Sequence, residues 1–502
     1  MALFLGVDTG TSGTKAVLID AAGNLLASDT RAYALSTPRP QWAEQSPDED
    51  WWPAAQEAIR AVLQKAGVTG AEVGGVGLTG QMHGSVFLDR AGNVLRPALL
   101  WCDARTGAEC QEITNAVGGP EKLYQTIGQP VFTSFTAPKI LWVRKHEPQM
   151  YEQIAHILLP KDYIRYKLTG EFATEVSDAS GTSLLDVRLR DWSPAMLSAL
   201  DIPREWLPKV YESPEISGQI SREAAALTGL REGTPVVGGG GDQAAGAVGC
   251  GVVQTGSVSL SLGTSGVVFA HLDTPFFAPD AIQTFCHAVP GAWHVMGCVI
   301  TAAGSLEWYK DTFAPESSYD AITTGAANVP AGCEGLLYLP YLQGERNPYF
   351  DPDARGVFFG ATLRTNRDYF ARAVLEGVSY AIRDQFSLLD GAKVPVSEIR
   401  AIGGGVKSDT WRQILTDVVN RPLRRVNAEE GPAFGAALLA AVGTGAYATV
   451  PEACAQAIRT TDETRPDKET ASVYEQYYSL YRSLYPALKP AFAQVAALNK
   501  PA

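Results

Sequence analysis

The 502-residue sequence has no excess of positive charge, no long apolar run and no closely spaced pair of cysteines. Its 41 Lys and Arg residues are outnumbered by 54 Asp and Glu residues, which gives a formal net charge of -13. That balance argues against a nucleic-acid-binding protein, because such proteins carry basic patches. No apolar stretch is long enough to span a membrane. We therefore expect neither nucleic acid nor a membrane among its partners.

The cysteines and the first residues both favour a cytoplasmic protein. Seven cysteines without a CxxC pair predict reduced thiols rather than a disulfide framework or a zinc site. The opening segment MALFLGVD has no basic region and reaches Asp8 at once, unlike a secretory signal. A chain of this length exceeds what one hydrophobic core supports, so two or three domains are expected.

One tetrapeptide, GTSG, occurs in both halves of the chain, at residues 10–13 and again at 263–266. Each copy lies between two short apolar runs, which is the pattern of a β-hairpin with a polar tip. We interpret the pair as a duplicated α/β domain. The predicted domains are residues 1–248 and residues 249–502.

The two hairpin tips could bind a polyphosphate from both sides, because they offer backbone N–H groups and hydroxyls. The first tip also carries a carboxylate and an ammonium group, and Asp8 could hold Mg²⁺ because hard cations prefer oxygen ligands. Two ordinary hairpins without a ligand are the alternative. The predicted nucleotide contacts at the tips are Asp8, Gly10, Thr11, Ser12, Lys15, Gly263, Thr264 and Ser265.

A third glycine cluster follows the strand-like run 399–402 and precedes an amphipathic segment, for which Ser408 is the predicted N-cap. A strand, a glycine loop and a helix in succession are typical of nucleotide binding in α/β folds. We predict that Gly403, Gly404, Gly405 and Ser408 contact the adenine or ribose of a nucleotide. A glycine-rich connection without a ligand is the alternative. The GxGxxG match at residues 75–80 lies inside a strand-like run, so it does not indicate a dinucleotide site.

Two further stretches carry chemically active side chains. Asp242 follows four glycines and is the only charged residue between Val236 and Gly251, which suggests a close approach of a ligand to the backbone. A surface turn is the other interpretation. Near the end of a predicted strand, and on a later loop, lie side chains that would suit a sugar, since they combine an apolar wall with hydrogen-bonding groups. They are Gln81, Met82, His83, Trp101 and Asp103.

The motifs GVDTGTSGTKAVLID, GQMHG, WCDART, GGGGDQAAGAVG, SLGTSG, YLQGERNPYFDPDARGVFFG and GGGVKSDTWRQILTDVV appear in this order. Together they resemble the FGGY family of carbohydrate kinases over nearly the whole chain, and most closely its members that phosphorylate D-xylulose. Residues 134–146 fit the N-terminal signature of the family. Residues 356–376 fit the C-terminal signature more loosely, because Ala361 and Tyr369 depart from it.

The resemblance implies an actin-like, ribonuclease-H-like fold, in which two α/β domains enclose a central cleft. It also implies ATP and Mg²⁺ as cofactors and transfer of phosphate to the terminal C5 hydroxyl of D-xylulose. In this family the carboxylate after the glycine run acts as base, here Asp242, and the first-tip carboxylate, Asp8, is linked to the metal. Met82 and His83 would hold the ketose, and Gln243 would bond a sugar hydroxyl.

Other functions stay open at this point. Ribulose, gluconate or a polyol could be the substrate of another kinase of the family. Glycerol is disfavoured, since the loop at residues 81–84 lacks the Arg-Glu pair of glycerol kinases. An actin-like or chaperone-type ATPase without a sugar substrate is the alternative from another class. A homodimer is compatible with the sequence.

Overall fold

The computed structural model of the chain describes residues 2–277, 282–427 and 430–498. Within these ranges, no helix combines the length and the apolar character needed to cross a membrane. All seven cysteines are free thiols, as predicted.

The structure is a mixed α/β fold. Its strands, in chain order, are β1 Leu3–Thr9, β2 Gly13–Ile19, β3 Leu25–Ala32, β4 Glu44–Gln45, β5 Val73–Gly80, β6 Val86–Leu88, β7 Ala98–Leu99, β8 His156–Leu158, β9 Ala173–Glu175, β10 Leu185–Asp186, β11 Asp191–Trp192, β12 Lys209–Tyr211, β13 Ile216–Gln219, β14 Pro235–Val237, β15 Gly240–Gly241, β16 Gly256–Leu262, β17 Gly266–Leu272, β18 Gln283–Cys286, β19 Trp293–Val299, β20 Leu337–Leu339, β21 Val357–Phe359, β22 Val396–Ile402, β23 Leu423–Val426 and β24 Thr460–Thr464.

The α-helices lie between and around these strands. In chain order they are α1 Trp52–Ala66, α2 Gly107–Val117, α3 Pro120–Ile127, α4 Thr136–His146, α5 Pro148–Tyr151, α6 Pro160–Thr169, α7 Val176–Ala179, α8 Pro194–Leu200, α9 Arg222–Thr228, α10 Asp242–Gly249, α11 Ala303–Phe313, α12 Tyr319–Ala327, α13 Arg367–Gly391, α14 Asp409–Val419, α15 Gly431–Gly443, α16 Val450–Ala457 and α17 Lys468–Leu498.

Two large sheets repeat one arrangement of strands. In the first sheet the order is β13-β14-β5-β1-β2-β3, with β15 also paired to β5. The antiparallel hairpin β1–β2 extends to β3 on one side, and β5 runs parallel to β1 on the other. In the second sheet, β16, β17, β19 and β22 occupy the same relative positions with the same directions. The predicted duplication and both predicted hairpins are therefore confirmed.

The hairpin strands are buried almost throughout because both faces of each sheet are covered. Strands covered on both faces are expected to be continuously apolar rather than alternating. In β1, Leu3, Phe4, Leu5 and Val7 all lie in the interior. The polar tips between the strands are thus held on rigid, buried supports.

Helices α10 and α15 cross each other between the two sheets. Although α15 belongs to the second half of the chain, it packs against β1 and β5 of the first sheet. The crossing is close enough to require glycine: a Cβ atom on Gly435 would lie 1.8 Å from the carbonyl oxygen of Ala245 in α10. Because α10 begins at Asp242, this crossing also fixes where that carboxylate lies between the halves.

Replacing Gly435 by alanine should lower the melting temperature, because the added methyl group would force α10 and α15 apart. Overpacking of this kind costs roughly 1–3 kcal/mol. The matched control is Gly107→Ala, at the start of α2, where a Cβ atom would meet nothing within 4 Å. Equal melting temperatures for the two variants, measured by circular dichroism, would contradict the close crossing.

Candidate active site

The first tip, between β1 and β2, is held by side chains from two neighbouring loops. The indole Nε1 of Trp101 donates to Thr11 Oγ1 at 2.9 Å, and that hydroxyl in turn lies 3.3 Å from Gln81 Oε1. Gln81 Nε2 donates to the carbonyl oxygen of Gly10 at 3.3 Å. Ser12 is exposed at the outer end of the turn. These contacts fix the shape of the turn.

The second tip, between β16 and β17, is bonded to the start of α11. The carbonyl oxygen of Thr264 accepts from the backbone N–H groups of Ala302 and Gly304, at 2.8 and 3.1 Å. Gly263 accepts from Ala303 in the same way at 2.9 Å. The turn is therefore built into the second sheet and its first helix.

Asp242 is the first residue of α10 and follows a tightly packed glycine loop. Gly239 has a positive φ of 72°, and a Cβ atom there would lie 1.9 Å from the carbonyl oxygen of Leu78. Arg165 donates to the carbonyl oxygens of Val237 and Gly238, both at 2.6 Å. The loop is thus pinned to β5 on one side and to a buried guanidinium on the other, so Asp242 has a defined position.

Burial of the cleft changes the acidity of its two carboxylates. It raises the pKa of Asp8 to about 7, and the charge of Asp242 adds to this effect while Lys15 opposes it. Burial likewise raises the pKa of Asp242 to about 6, while hydrogen bonds with Gln243 act to lower it. A buried carboxylate whose charge is further disfavoured by a second carboxylate is a group that a cation would stabilise.

Lys15 makes its contact across the cleft rather than with Asp8. Its ammonium group forms an ion pair with the carboxylate of Glu430, immediately before α15. The predicted phosphate contact of Lys15 therefore competes with a contact between the two halves of the chain.

His83 is buried in an unusual backbone conformation, with a φ of 69°. Its Nδ1 lies 2.8 Å from the carbonyl oxygen of Gly181, and because a carbonyl only accepts, Nδ1 carries the proton. Burial, together with the charge of Lys139, lowers the pKa of His83 to about 3. The ring is therefore neutral at physiological pH, and Nε2 is left as a hydrogen-bond acceptor.

A cavity of about 130 Å³ gathers the chemically active residues of both halves. It brings Asp242 and Gln243 together with side chains from both tips and from the GQMHG loop. Its lining is Thr11, Met82, His83, Trp101, Asp242, Gln243, Ser265, Val267, Met296, Cys298 and Arg346. Residues distant in the sequence thus form one chamber that combines polar side chains with a thioether and indole wall.

Two of the predicted sugar contacts lie behind this wall. Gln81 is buried, and its amide is occupied by the carbonyl of Gly10 and by Gln45 Oε1 at 3.0 Å. Asp103 is also buried, where it accepts from the backbone N–H of Ala43 at 2.7 Å and pairs with Arg105 at 2.6 Å. Both side chains support the chamber instead of lining it.

The GGG loop borders two further cavities of about 330 and 360 Å³. Ser408 caps α14, since its hydroxyl accepts from the backbone N–H of Trp411 at 3.3 Å, as the sequence suggested. The larger cavity lies between the GGG loop, the second tip and helices α11 and α12. Its lining is Leu262, Gly263, Thr264, Ala303, Leu306, Glu307, Tyr319, Asp320, Thr323, Gly404, Gly405, Lys407, Ser408 and Trp411. Gly403 borders the smaller one.

Sequence reasoning predicted Ser265 but missed the rest of the second-half wall of the 130 Å³ chamber, which is formed by Val267, Met296, Cys298 and Arg346. Met296 and Cys298 belong to β19, whose apolar pattern carries no functional signal. Arg346 lies in the motif YLQGERNPYF, where a cation between a glutamate and an asparagine was a signal that could have been followed.

Comparison with known proteins identifies the family of the chain. The model of the N-terminal domain of the FGGY family of carbohydrate kinases matches residues 3–249, and the model of its C-terminal domain matches residues 258–444. The chain therefore belongs to the FGGY family of carbohydrate kinases.

Three relatives illustrate the range of similarity. The xylulose kinase of Escherichia coli (strain K12) is 43% identical over 442 residues, which cover 88% of this chain and 90% of that protein. The solved structure of a protein described as a xyloylose kinase, from Brucella ovis, has a TM-score of 0.89 at 37% identity and covers 97% of this chain and all of its own. A gluconate kinase from Lactobacillus acidophilus has a TM-score of 0.91 at 27% identity, over 98% of this chain and 99% of that one. The expected actin-like, ribonuclease-H-like architecture is confirmed by these structures.

His83 should not titrate between pH 5 and pH 8, because burial and Lys139 keep its pKa far below that window. Imidazole NMR signals, assigned by their loss in His83→Gln, should show a proton on Nδ1 and none on Nε2 throughout. A midpoint for His83 above pH 5 would contradict the described environment.

Proposed function

We propose that this protein transfers the γ-phosphoryl group of ATP to the C5 hydroxyl of D-xylulose, giving D-xylulose 5-phosphate and ADP. The observation that carries the proposal is the position of the second tip. Gly263 and Thr264 line the 360 Å³ cavity beside the GGG loop, and Ser265 lines the chamber that holds Asp242. A nucleotide in the larger cavity, with its phosphates along this turn, would present its γ-phosphate to Asp242. Xylulose kinases at 36–43% identity support the choice of sugar.

Asp242 orients the sugar hydroxyl and accepts its proton late. An alcohol resembles water, whose pKa is roughly 16, whereas the pKa of Asp242 is raised to about 6. Complete deprotonation before attack would therefore cost roughly 14 kcal/mol, at about 1.36 kcal/mol per unit. In a loose phosphoryl-transfer transition state the hydroxyl becomes acidic as the O–P bond forms. The carboxylate needs only to hold the attacking oxygen in line until that moment.

The donor set around Asp8 fits Mg²⁺. Asp8 Oδ1 is buried and has no hydrogen-bond partner within the described part of the chain. No cluster of three or more His, Cys, Asp or Glu side chains suited to a metal occurs in residues 2–277, 282–427 or 430–498. Mg²⁺ is commonly held by one or two carboxylates together with phosphate oxygens and water. When bound, the ion would neutralise charge on the β- and γ-phosphates.

The part of the chamber around His83 is suited to a sugar. The neutral ring of His83 offers Nε2 as an acceptor for a hydroxyl proton, while Met82 and Trp101 supply the apolar wall. Gln243, next to the base, has an amide that both donates and accepts. A polar chamber of this kind rejects a sugar that lacks a matching hydroxyl more strongly than an apolar pocket could.

A sugar-panel assay separates this proposal from its alternatives. ADP release should depend on D-xylulose and should exceed the rates with D-ribulose, L-ribulose, gluconate, xylitol and glycerol. The similarity to a gluconate kinase makes gluconate the most informative competitor. Equal rates with and without every sugar would favour a chaperone-type or actin-like ATPase. A cytoplasmic location, a homodimeric state and the domain boundary at residues 248 and 249 stay predictions.

Asp242→Asn should retain sugar binding and lose phosphoryl transfer, because an amide cannot accept the proton. A positioned general base contributes roughly 10²- to 10⁴-fold, so kcat should fall by that factor while the calorimetric affinity for D-xylulose changes little. Asp89→Asn, in an exposed turn, is the matched control. Turnover of Asp242→Asn near that of the unchanged protein would exclude Asp242 as the base.

His83→Ala should lower kcat/KM for D-xylulose by roughly ten- to a hundredfold, since it leaves a sugar hydroxyl without its acceptor. The loss should be smaller for a ketose whose matching hydroxyl is absent or inverted. Kinetic constants for D-xylulose, D-ribulose and L-ribulose test this, with the exposed His146→Ala as control. An identical loss for all three sugars, or a parallel loss of ATP affinity, would assign His83 a purely structural role.

A further inference from the structure

Arg346 faces the chamber as an unpaired cation. Its side chain is half-buried and lines the cavity with His83 and Cys298. Within the described residues, the guanidinium forms no ion pair, no hydrogen bond and no contact over an aromatic ring. Elsewhere in the structure, Arg105, Arg165 and Arg372, whose side chains are equally or more buried, are paired with carboxylates. A cation without such a partner is available to a ligand.

The loop that carries Arg346 is anchored on both sides of this residue. Glu345 is buried, and its Oε1 accepts from the backbone N–H groups of Ile300 and Arg346, at 3.1 and 2.7 Å. Asn347 is also buried and its Oδ1 accepts from Cys298 N at 3.3 Å, while its carbonyl accepts from Gln385 at 2.9 Å. The backbone of Arg346 is therefore fixed to the end of β19 before any ligand arrives, so binding requires ordering of the side chain but not of the loop.

The chamber combines side chains from both halves of the chain, and Arg346 is one of those from the second half. Met82, His83 and Trp101 come from the first half of the chain, whereas Arg346 comes from the second. A ligand held by His83 would lie between the halves and could be reached from both. We propose that Arg346 binds the sugar, donating hydrogen bonds from the second half to oxygen atoms of the ketose held by His83. This inference rests on the proposed function and adds a specific sugar-binding residue to it.

The chemistry of the two side chains is complementary. A guanidinium has five N–H donors and no acceptor, whereas the neutral His83 presents an acceptor at Nε2. A sugar carries hydroxyl and carbonyl oxygens that satisfy both types of group. His83 and Arg346 together would therefore fix the orientation of the ketose, and so determine which end of it reaches Asp242.

Electrostatics favours the sugar over the γ-phosphate as the group that Arg346 contacts. The charge of Arg346 is one of the causes that lower the pKa of His83, and it opposes the effect of burial on the pKa of Cys298. The causes that oppose burial at Asp8 and Asp242 are instead Lys15 and Gln243. The charge of Arg346 thus acts on groups at the His83 end of the chamber, and also on the neighbouring carboxylate of Glu345.

Arg346→Met, which keeps an unbranched side chain without the charge, tests the proposal. The KM for D-xylulose should rise by roughly ten- to a hundredfold, the range expected for loss of a charge-assisted hydrogen bond. The KM for ATP should stay close to that of the unchanged protein. Arg346→Lys should recover part of the affinity, because it restores the charge without the fork of donors. Arg355→Met, on the same segment but exposed, is the matched control.

Calorimetric binding of D-xylulose without nucleotide gives a second readout that does not depend on turnover. Weaker binding in Arg346→Met, with a melting temperature equal to that of Arg355→Met, would support the proposal. Unchanged sugar affinity in both Arg346 variants would overturn it, and so would a rise in the KM for ATP alone, which would assign Arg346 to the phosphates. If the unchanged protein neither binds nor phosphorylates D-xylulose, the proposed function fails, and the assignment of Arg346 fails with it.

Discussion

The close crossing of α10 and α15 is the constraint on which the site depends. Each helix begins at the cleft: α10 carries Asp242 as its first residue, and α15 begins beside Glu430, which pairs with Lys15 of the first hairpin. Gly435 allows the backbones of α10 and α15 to touch at Ala245. Because these helices lie so close together, the two sheets are also close, and both GTSG tips border the same chamber. A wider crossing would separate Thr11 from Ser265 and divide the chamber between them.

A second constraint acts behind the glycine loop, where a group of charges is fully buried. Lys161 forms ion pairs with Asp162, Glu175 and Asp178 at 2.6, 3.5 and 3.3 Å. Glu175 accepts from Ser177, whose hydroxyl in turn accepts from Gly241 N at 3.1 Å. Buried ion pairs contribute little net stability, since desolvation offsets their attraction. Their effect here is positional, because the chain of contacts ends at Gly241, the residue before Asp242.

Much of this site follows from the sequence, because local chemistry determines the parts that were predicted. Two hairpins with polar tips, the GGG loop with its Ser408 cap and the position of Asp242 are consequences of short segments. What could not be predicted depends on tertiary packing. Gln81 and Asp103 have side chains suited to a sugar, yet Gly10, Gln45, Ala43 and Arg105 occupy them. Nothing local to Arg346 or to α15 indicates that they reach the opposite half of the chain.

The central claim is that one chamber orients the C5 hydroxyl of a ketose between Asp242 and a phosphate chain held by both tips. A crystal structure with D-xylulose and a non-hydrolysable ATP analogue tests it most directly. The account predicts the C5 oxygen within about 3.2 Å of the Asp242 carboxylate, the reach of a general base. It also predicts the γ-phosphate between residues 10–12 and residues 263–265, with His83 at the far end of the sugar. A sugar bound with its C5 end against His83, or a nucleotide that contacts only one tip, would contradict it.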